Sequence, residues 1–221
     1  VLLLVGGVLA LASPYFFTWK NCRNILIQSA IYLVLSVGMT LVISAGQIDL
    51  SVGAIIGFAG MSMGMLIKAG MSAPLAIFFG LLISFLIGML NGMLIAYGKI
   101  NSFIVTLSTM TIMRGIILIL TNSNSIFGFG KVFTFIGSGK IGPVNMPIVI
   151  SLIIAALGAM LLHKTRFGNY CLFIGSNEIA LNRSGVNVKR YKVMIFSLCG
   201  LCAGIAGLIV TSRLNSAEPL A

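Results

Sequence analysis

The run PLAIFFGLLISFLIGMLNGMLIAY, residues 74–97, contains no charged side chain. A helix needs about 20 mostly apolar residues to cross the hydrocarbon core of a bilayer, and Pro74 suits the first turn of such a helix. The run does not alternate in hydrophobicity, as the strand of a membrane barrel would. It therefore predicts a transmembrane helix, which satisfies its own backbone hydrogen bonds in lipid.

Comparable apolar runs fill most of the remaining chain. Of the 221 residues, 59% are hydrophobic and 8% are charged, whereas a soluble domain carries about 25% charge. The sequence predicts an all-α polytopic transmembrane bundle of about seven spans, forming one domain over 1–221. The predicted spans are 1–17, 24–45, 50–67, 74–97, 102–121, 146–162 and 193–211. Because the chain starts inside an apolar run without Met and stops just after a span, we expect it to continue beyond both ends.

The composition also argues against several classes of function. The net charge of +11 comes from basic residues that separate apolar runs, as at membrane boundaries, so we do not expect nucleic-acid binding. One histidine and three acidic residues offer no paired carboxylates and no Ser/His/Asp set, so we do not expect an enzyme. Cys199 and Cys202 share a helix face, but a zinc site needs two further ligands, and no metal site is predicted.

One polar segment, residues 164–192, interrupts the apolar pattern. It holds Glu178 and six of the fourteen basic residues: Lys164, Arg166, Arg183, Lys189, Arg190 and Lys192. If this segment is cytoplasmic and the spans alternate, seven basic residues lie inside, six lie outside and Arg114 lies within a span. The positive-inside rule therefore favours this orientation by one residue, and the density of charge in the segment is the stronger signal.

Asp49 is the only acidic residue before Glu178, and it lies in SAGQIDLSVG (44–53). A carboxylate at membrane depth is costly and indicates a functional site. Asp49 followed by Ser51 could equally cap the helix that starts near Leu50. The two interpretations are compatible.

The predicted span 102–121 is unusually polar. Ser102, Thr106 and Thr109 share one face, while Ser108, Thr111 and Arg114 follow another. A helix that is polar on two faces is not expected to face lipid on either, although Arg114 could snorkel to the interface or pair structurally. With the polar residues of neighbouring segments, the candidate pathway residues are Asp49, Asn91, Thr106, Thr109 and Arg114.

Small residues form stripes on several predicted spans. Gly53, Gly57, Gly60 and Gly64 lie within about 60° of one another at 100° per residue. Small residues let membrane helices approach closely, so we expect a helix-packing face there, which could also permit sliding during transport.

The segment GSNEIALNRSGVNVKRYK (175–192) resembles the cytoplasmic coupling segment of permease subunits in bacterial ribose-type sugar ABC importers. The family pattern is approximately GxNExAxxxSGIxVxxxK, although Ile179 stands where many members carry Ala. GMTLVISAGQIDLSVG (38–53), TLSTMTIMRG (106–115) and SRLNSAEP (212–219) are similar to further family motifs, with Gln47 replacing a usual Gly. Matches to the coupling pattern are Gly175, Asn177, Glu178, Ala180, Ser184, Gly185, Val188 and Lys192.

This resemblance implies a permease subunit in the bacterial inner membrane that translocates a monosaccharide. It implies a cytoplasmic coupling loop at 164–192, an ATPase partner that uses ATP, an extracytoplasmic sugar-binding protein and a second permease copy or paralogue. It assigns ATPase coupling to Gly175, Asn177, Glu178, Ala180, Ser184 and Gly185, and no cofactor to this chain. It also implies about three further spans beyond Ala221.

Asn177 or Ser176 can cap a short helix, Glu178 suits the positive end of its dipole and Gly185 can end it. Such a helix would be a rigid knob for an ATPase cleft. The alternatives are a self-contained secondary transporter or channel, which would need ion-coupling carboxylates or inverted repeats, and a non-transporting membrane subunit.

Overall fold

The computed structural model describes residues 2–219, and they form an all-α bundle. Its helices are α1 Leu2–Ala12, α2 Trp19–Ser44, α3 Val52–Lys68, α4 Ala73–Ala96, α5 Ser102–Thr121, α6 Lys131–Ser138, α7 Met146–Lys164, α8 Arg166–Arg183 and α9 Val188–Leu214. Two-residue strands β1 Ile126–Phe127, β2 Lys140–Ile141, β3 Val144–Asn145 and β4 Ser216–Ala217 pair as β1–β4 and β2–β3. The predicted fold class is confirmed.

The count of seven full-length spans is not confirmed. In the described residues, five helices are long and apolar enough to cross a membrane: α2, α4, α5, α7 and α9. Helix α3 is apolar but has 17 residues, because residues 45–51 before it are not helical. Helix α1 has 11 residues and ends at Ala12, since Pro14 disfavours helical backbone at Ser13. The chain is a multi-pass membrane protein.

Helix α9 forms the centre of the bundle. Two-thirds of its apolar window is buried (67%), compared with 11% for α7. Its closest neighbour is α4, and glycines let the two backbones meet: a methyl group added at Gly92 would lie 2.7 Å from Val193 Cα, and one at Gly88 would collide with the Phe196 carbonyl. Small residues at such a crossing permit the close van der Waals packing on which membrane helices depend.

One end of the bundle is closed by α6 and β4. Strands β1 and β4 pair antiparallel with Ile126 opposite Ala217, which joins the ends of α5 and α9. The Ser212 hydroxyl donates to the Phe133 carbonyl and accepts from the Gly137 N–H at 2.7 Å, so it fastens α6 to α9. The connection 122–145 between α5 and α7 therefore contains strand β1, the docked helix α6 and one short hairpin, β2–β3.

Helix α8 lies at the end of the bundle opposite α6 and β4. We call this end the α8 face. The turn 45–51 and the turn 97–101 lie there too, because residues of both line a cavity together with Glu178 of α8. The helices α2, α3, α4, α5, α7 and α9 therefore run alternately towards and away from this face, as expected for successive membrane crossings.

Candidate functional site

The polar segment 164–192 is helical except at Thr165, at a kink at Asn177 and at residues 184–187. Thr165 begins α8, with its hydroxyl accepting the Gly168 N–H at 3.3 Å. The first half of α8 is anchored in the bundle through Cys171 and Ile174, which are buried in the core formed with α2 and α9. The segment predicted as a coupling loop is thus a helix whose first half is fixed in the protein.

Asn177 divides α8 in two. Its backbone is non-helical (φ −155°, ψ 87°), and its Oδ1 accepts the Ala180 N–H at 2.9 Å, which is the geometry of an N-cap. The following helical turns end at Ser184, and Gly185 adopts a left-handed φ of +86°, as at many helix ends. The predicted cap at Asn177 and end at Gly185 are confirmed, and we call residues 177–185 the docking knob.

The docking knob is exposed to solvent apart from one side chain. All six predicted coupling residues are exposed, and Leu181 alone attaches the knob to the core. Ile179 has 69% of its surface exposed, although a large apolar side chain is usually covered. An exposed capped helix with an apolar tip has the form of a protein-docking element. The predicted coupling residues are Gly175, Asn177, Glu178, Ala180, Ser184 and Gly185.

An ion pair ties the docking knob to α9. Lys192 Nζ lies 2.7 Å from Glu178 Oε2, with 12% of the lysine side chain and 47% of the glutamate side chain exposed. It is the one salt bridge in the part of the chain that the structure describes. A half-exposed pair contributes at most about 1 kcal/mol to stability, so its main effect is to orient the knob.

Deeper in the bundle, four side chains from three segments form one buried polar chain. Asp49 Oδ1 accepts the Ser51 N–H at 2.8 Å and the Ser51 hydroxyl at 2.6 Å. Asn91 on α4 donates from Nδ2 to Ser51 Oγ at 3.0 Å, and its Oδ1 accepts the Thr109 hydroxyl of α5 at 2.6 Å. The chain Asp49–Ser51–Asn91–Thr109 therefore joins the start of α3 to α4 and α5.

Asp49 lies well inside the bundle. Its carboxyl borders the Cys199 thiol on α9, and Cys199 follows Lys192 by about 10 Å at 1.5 Å per residue. Only 2% of Asp49 is exposed, and its Oδ2 has no hydrogen-bond partner among the described residues. Non-helical backbone at such depth is tolerated where it is buried in protein or lines a cavity, and the segment 45–51 meets this condition.

A cavity of about 640 Å³ opens at the α8 face beside this segment. Its floor includes Ile48, whose N–H donates to Ser102 Oγ at 3.4 Å, and Asp49 follows directly. The cavity therefore adjoins both the buried polar chain and the docking knob. Its polar lining residues are Gln47, Lys99, Asn101, Ser102, Glu178, Lys189 and Lys192.

The structure brings together some of the predicted pathway residues but not all. Asp49, Asn91 and Thr109 share the buried chain, and Thr106 is buried beside it, with its hydroxyl donating to the Ser102 carbonyl at 2.8 Å. Arg114 is exposed on the other side of α5. Sequence reasoning placed Ser51 only as a capping partner, although its two-residue spacing from Asp49 is the signal that would have identified it.

The four glycines predicted to form a packing stripe on α3 have different environments. A methyl group at Gly60 would collide with Thr211 of α9, and one at Gly64 would lie 2.9 Å from the Phe129 ring. Gly57 is buried, whereas no atom lies within 4 Å of a methyl group placed at Gly53. Close packing of α3 thus begins beyond its first turn, and a role in sliding stays a prediction for the three buried glycines, Gly57, Gly60 and Gly64.

In a comparison with known proteins, the matching family and the similar proteins are all transport permeases. Residues 21–221 match a family described as branched-chain amino acid transport system / permease component. The ribose import permease protein of Haemophilus influenzae is 38% identical, over all of this chain and 69% of its own length. That of Bacillus subtilis is 42% identical over 97% of this chain and 67% of its own.

A further relative is the D-allose transport system permease protein of Escherichia coli, which is 34% identical over all of this chain and 68% of its own length. No solved structure matches the chain. The family match covers all the predicted spans except the first, and it includes both the docking knob and the buried polar chain. The chain therefore belongs to this family of transport-system permease components.

Proposed function

We propose that the chain is the permease subunit of a bacterial importer that carries a monosaccharide across the inner membrane and is driven by a separate ATPase. The docking knob carries this proposal: the motif that resembles a coupling segment is built as a capped helix, exposed at one end of the bundle. Similarity to permeases whose names specify ribose import and D-allose transport supports a monosaccharide as the substrate.

The positions of the polar groups indicate which end of the bundle each partner would bind. The ATPase would bind the docking knob at the α8 face, which is then the cytoplasmic face, and would use the ATP. A sugar-binding protein would deliver substrate at the opposite end, where α6 and β4 lie. This chain would need no cofactor and would form no covalent intermediate, so it would act as a transporter and not as an enzyme.

The second polar face of α5 supports a second permease copy or a paralogue. Ser108, Thr111 and Arg114 are exposed on that face, and a charged guanidinium is costly in lipid. A water-filled pathway between two permease subunits would accommodate this face. Sugar hydroxyls would then pass along α5, near the buried chain that ends at Thr109.

A self-contained secondary transporter is the competing function. It would couple transport to ions through carboxylates inside the membrane. Of the acidic residues, Asp49 lies in the bundle interior, whereas Glu178 is on the exposed knob and Glu218 is exposed at the opposite end. One buried carboxylate and an exposed docking helix favour the ATP-driven function.

Replacing the cap of the knob tests the proposal. Asn177→Ala removes the side chain that accepts the Ala180 N–H, at a cost of about 0.5–2 kcal/mol to the helix end. We expect less ATPase to copurify with the full-length permease, and a similar loss of ATP-driven sugar uptake in proteoliposomes. Asn169→Ala is the matched control, an exposed asparagine in the first half of α8. Equal ATPase binding and uptake in both variants would contradict a docking role for the knob.

A further inference from the structure

The docking knob and the buried polar chain are joined by a contact between two backbones. A methyl group added at Gly175 would collide with the Ser44 carbonyl and would lie 3.0 Å from the Gly46 nitrogen. Gly175 comes two residues before Asn177, where α8 bends. The bend in α8 therefore lies two residues from a close backbone contact with the turn that follows α2.

Gly46 completes this contact from the other side. Its φ of +68° is one that L side chains rarely adopt, and a methyl group there would lie 3.4 Å from Gly175 Cα. The turn is held by backbone bonds from Gly46 N–H to the Ile43 carbonyl at 2.9 Å and from Gln47 N–H to the Val42 carbonyl at 3.1 Å. Residues 44–47 thus form a defined turn whose shape depends on glycine at both sides of the contact.

The same turn leads directly into the buried polar chain. Ile48 donates to Ser102 at the start of α5, and Asp49 then binds Ser51, which in turn binds Asn91 and connects to Thr109. Residues 48–51, which follow the turn, are hydrogen-bonded to α4 and α5 and lead directly into α3. A displacement of the turn would therefore reach all three helices.

We propose that Gly46 and Gly175 are positioning residues for transport: their contact transmits movement of the docking knob to the Asp49–Ser51–Asn91–Thr109 chain. The proposal rests on the proposed function, since the ATPase supplies the movement. Glu178 of the knob and Gln47 of the turn also line the same cavity. The contact leaves no space for a methyl group at Gly175, and the turn needs glycine at position 46 for its positive φ, so small substitutions test it without removing a charge.

The test compares Gly175→Ala with Gly53→Ala in the full-length permease, reconstituted with its ATPase and binding protein. Gly53 lies in the first turn of α3, close in sequence to the buried chain, and a methyl group there meets no atom within 4 Å. We expect Gly175→Ala to retain the ATPase but to lower the sugar transported per ATP by about tenfold, within the range for single residues on a coupling route. Gly53→Ala should match the wild type.

A second readout follows the buried chain itself. We expect ATP to change the rate at which a small maleimide labels Cys199, whose thiol borders Asp49, and Gly175→Ala to abolish that change. Gly46→Ala, which strains the turn, should act like Gly175→Ala.

The proposal is overturned if either variant keeps the wild-type ratio of sugar to ATP. It is also overturned if both variants lose the ATPase while Gly53→Ala keeps it, because the contact would then serve assembly and not transmission. Uptake by the wild type without ATP would instead refute the proposed function.

Discussion

Asp49 has two carboxylate oxygens with different environments. Oδ1 accepts both the N–H and the hydroxyl of Ser51, whereas Oδ2 has no partner among the described residues. A buried carboxylate with one unsatisfied oxygen stabilises the turn before α3 at a considerable desolvation cost. Such a residue is expected where function, and not stability alone, selects the side chain.

Replacing Asp49 separates its structural contribution from its charge. Asp49→Ala leaves the buried Ser51 N–H and hydroxyl without their acceptor, so we expect the free energy of unfolding to fall by about 1–3 kcal/mol. Asp49→Asn retains an acceptor oxygen and should cost less. Thermal unfolding of the purified protein in detergent measures both, with Thr111→Ala on the exposed face of α5 as control. Equal stability of Asp49→Ala and Thr111→Ala would show that the buried chain does not hold α3.

Whereas Asp49 is a charged residue that is buried, Ile179 is an apolar residue whose side chain is exposed. We expect Ile179→Asp to reduce copurification of the ATPase by about tenfold or more, because interface anchors commonly contribute 2 kcal/mol or more. Ile179→Ala should have a smaller effect, and neither variant should change the unfolding temperature, since 69% of the side chain is exposed. Unchanged ATPase binding by Ile179→Asp would show that Ile179 is not part of the interface with the ATPase.

At the scale of elements, the contact between α4 and α9 determines how the bundle is built. Gly88 and Gly92 on α4 meet the backbone of α9 near Phe196 and Val193. Asn91 lies between these glycines in the chain and donates to Ser51 at the start of α3. One stretch of α4 therefore carries both the close packing against α9 and a link of the polar chain.

Enlarging a glycine at this crossing tests its importance. Gly88→Ala would place a methyl group against the Phe196 carbonyl, and forced overpacking typically costs about 1–3 kcal/mol. Gly115→Ala on α5 is the control, since its added methyl group has no neighbour within 4 Å. We expect a lower unfolding temperature for Gly88→Ala alone. If the two variants unfold alike, the α4–α9 crossing is more tolerant than its geometry indicates.

Across the described residues, the sequence predicted the long helices well, and also the helix that Asn177 caps and Gly185 ends. The span 102–121 coincides with α5, because Asn101 caps its first turn and Asn122 ends it with a left-handed backbone. The seventh predicted span, 193–211, was too short: α9 starts at Val188, since its first turns are polar and lie outside the hydrophobic window. Hydropathy marks the apolar length of a helix and not its full extent.

Other features depend on contacts between distant segments. The pairing of Asp49 and Ser51 with Asn91 and Thr109 requires the α3, α4 and α5 arrangement, which no local pattern specifies. The contact between Gly46 and Gly175 joins residues far apart in sequence, and each glycine alone looks like an ordinary turn or helix residue. The turn 45–51 before α3 likewise contacts α5 and α8, which an apolar window does not reveal.

Residues 2–219 form a bundle with an exposed capped helix at one end, the docked α6 at the other and polar groups between them. This arrangement suits a permease that is moved from one face and supplied with substrate at the other. Its energy source would then lie on a partner bound at the α8 face.

Sugar uptake into proteoliposomes tests this account most directly. The full-length permease would be reconstituted with its ATPase and binding protein, with ATP enclosed in the same compartment as the ATPase. We predict accumulation of labelled ribose or a related monosaccharide only when ATP is hydrolysed, and no accumulation with a non-hydrolysable analogue. Uptake that proceeds without the ATPase or without ATP would contradict the account.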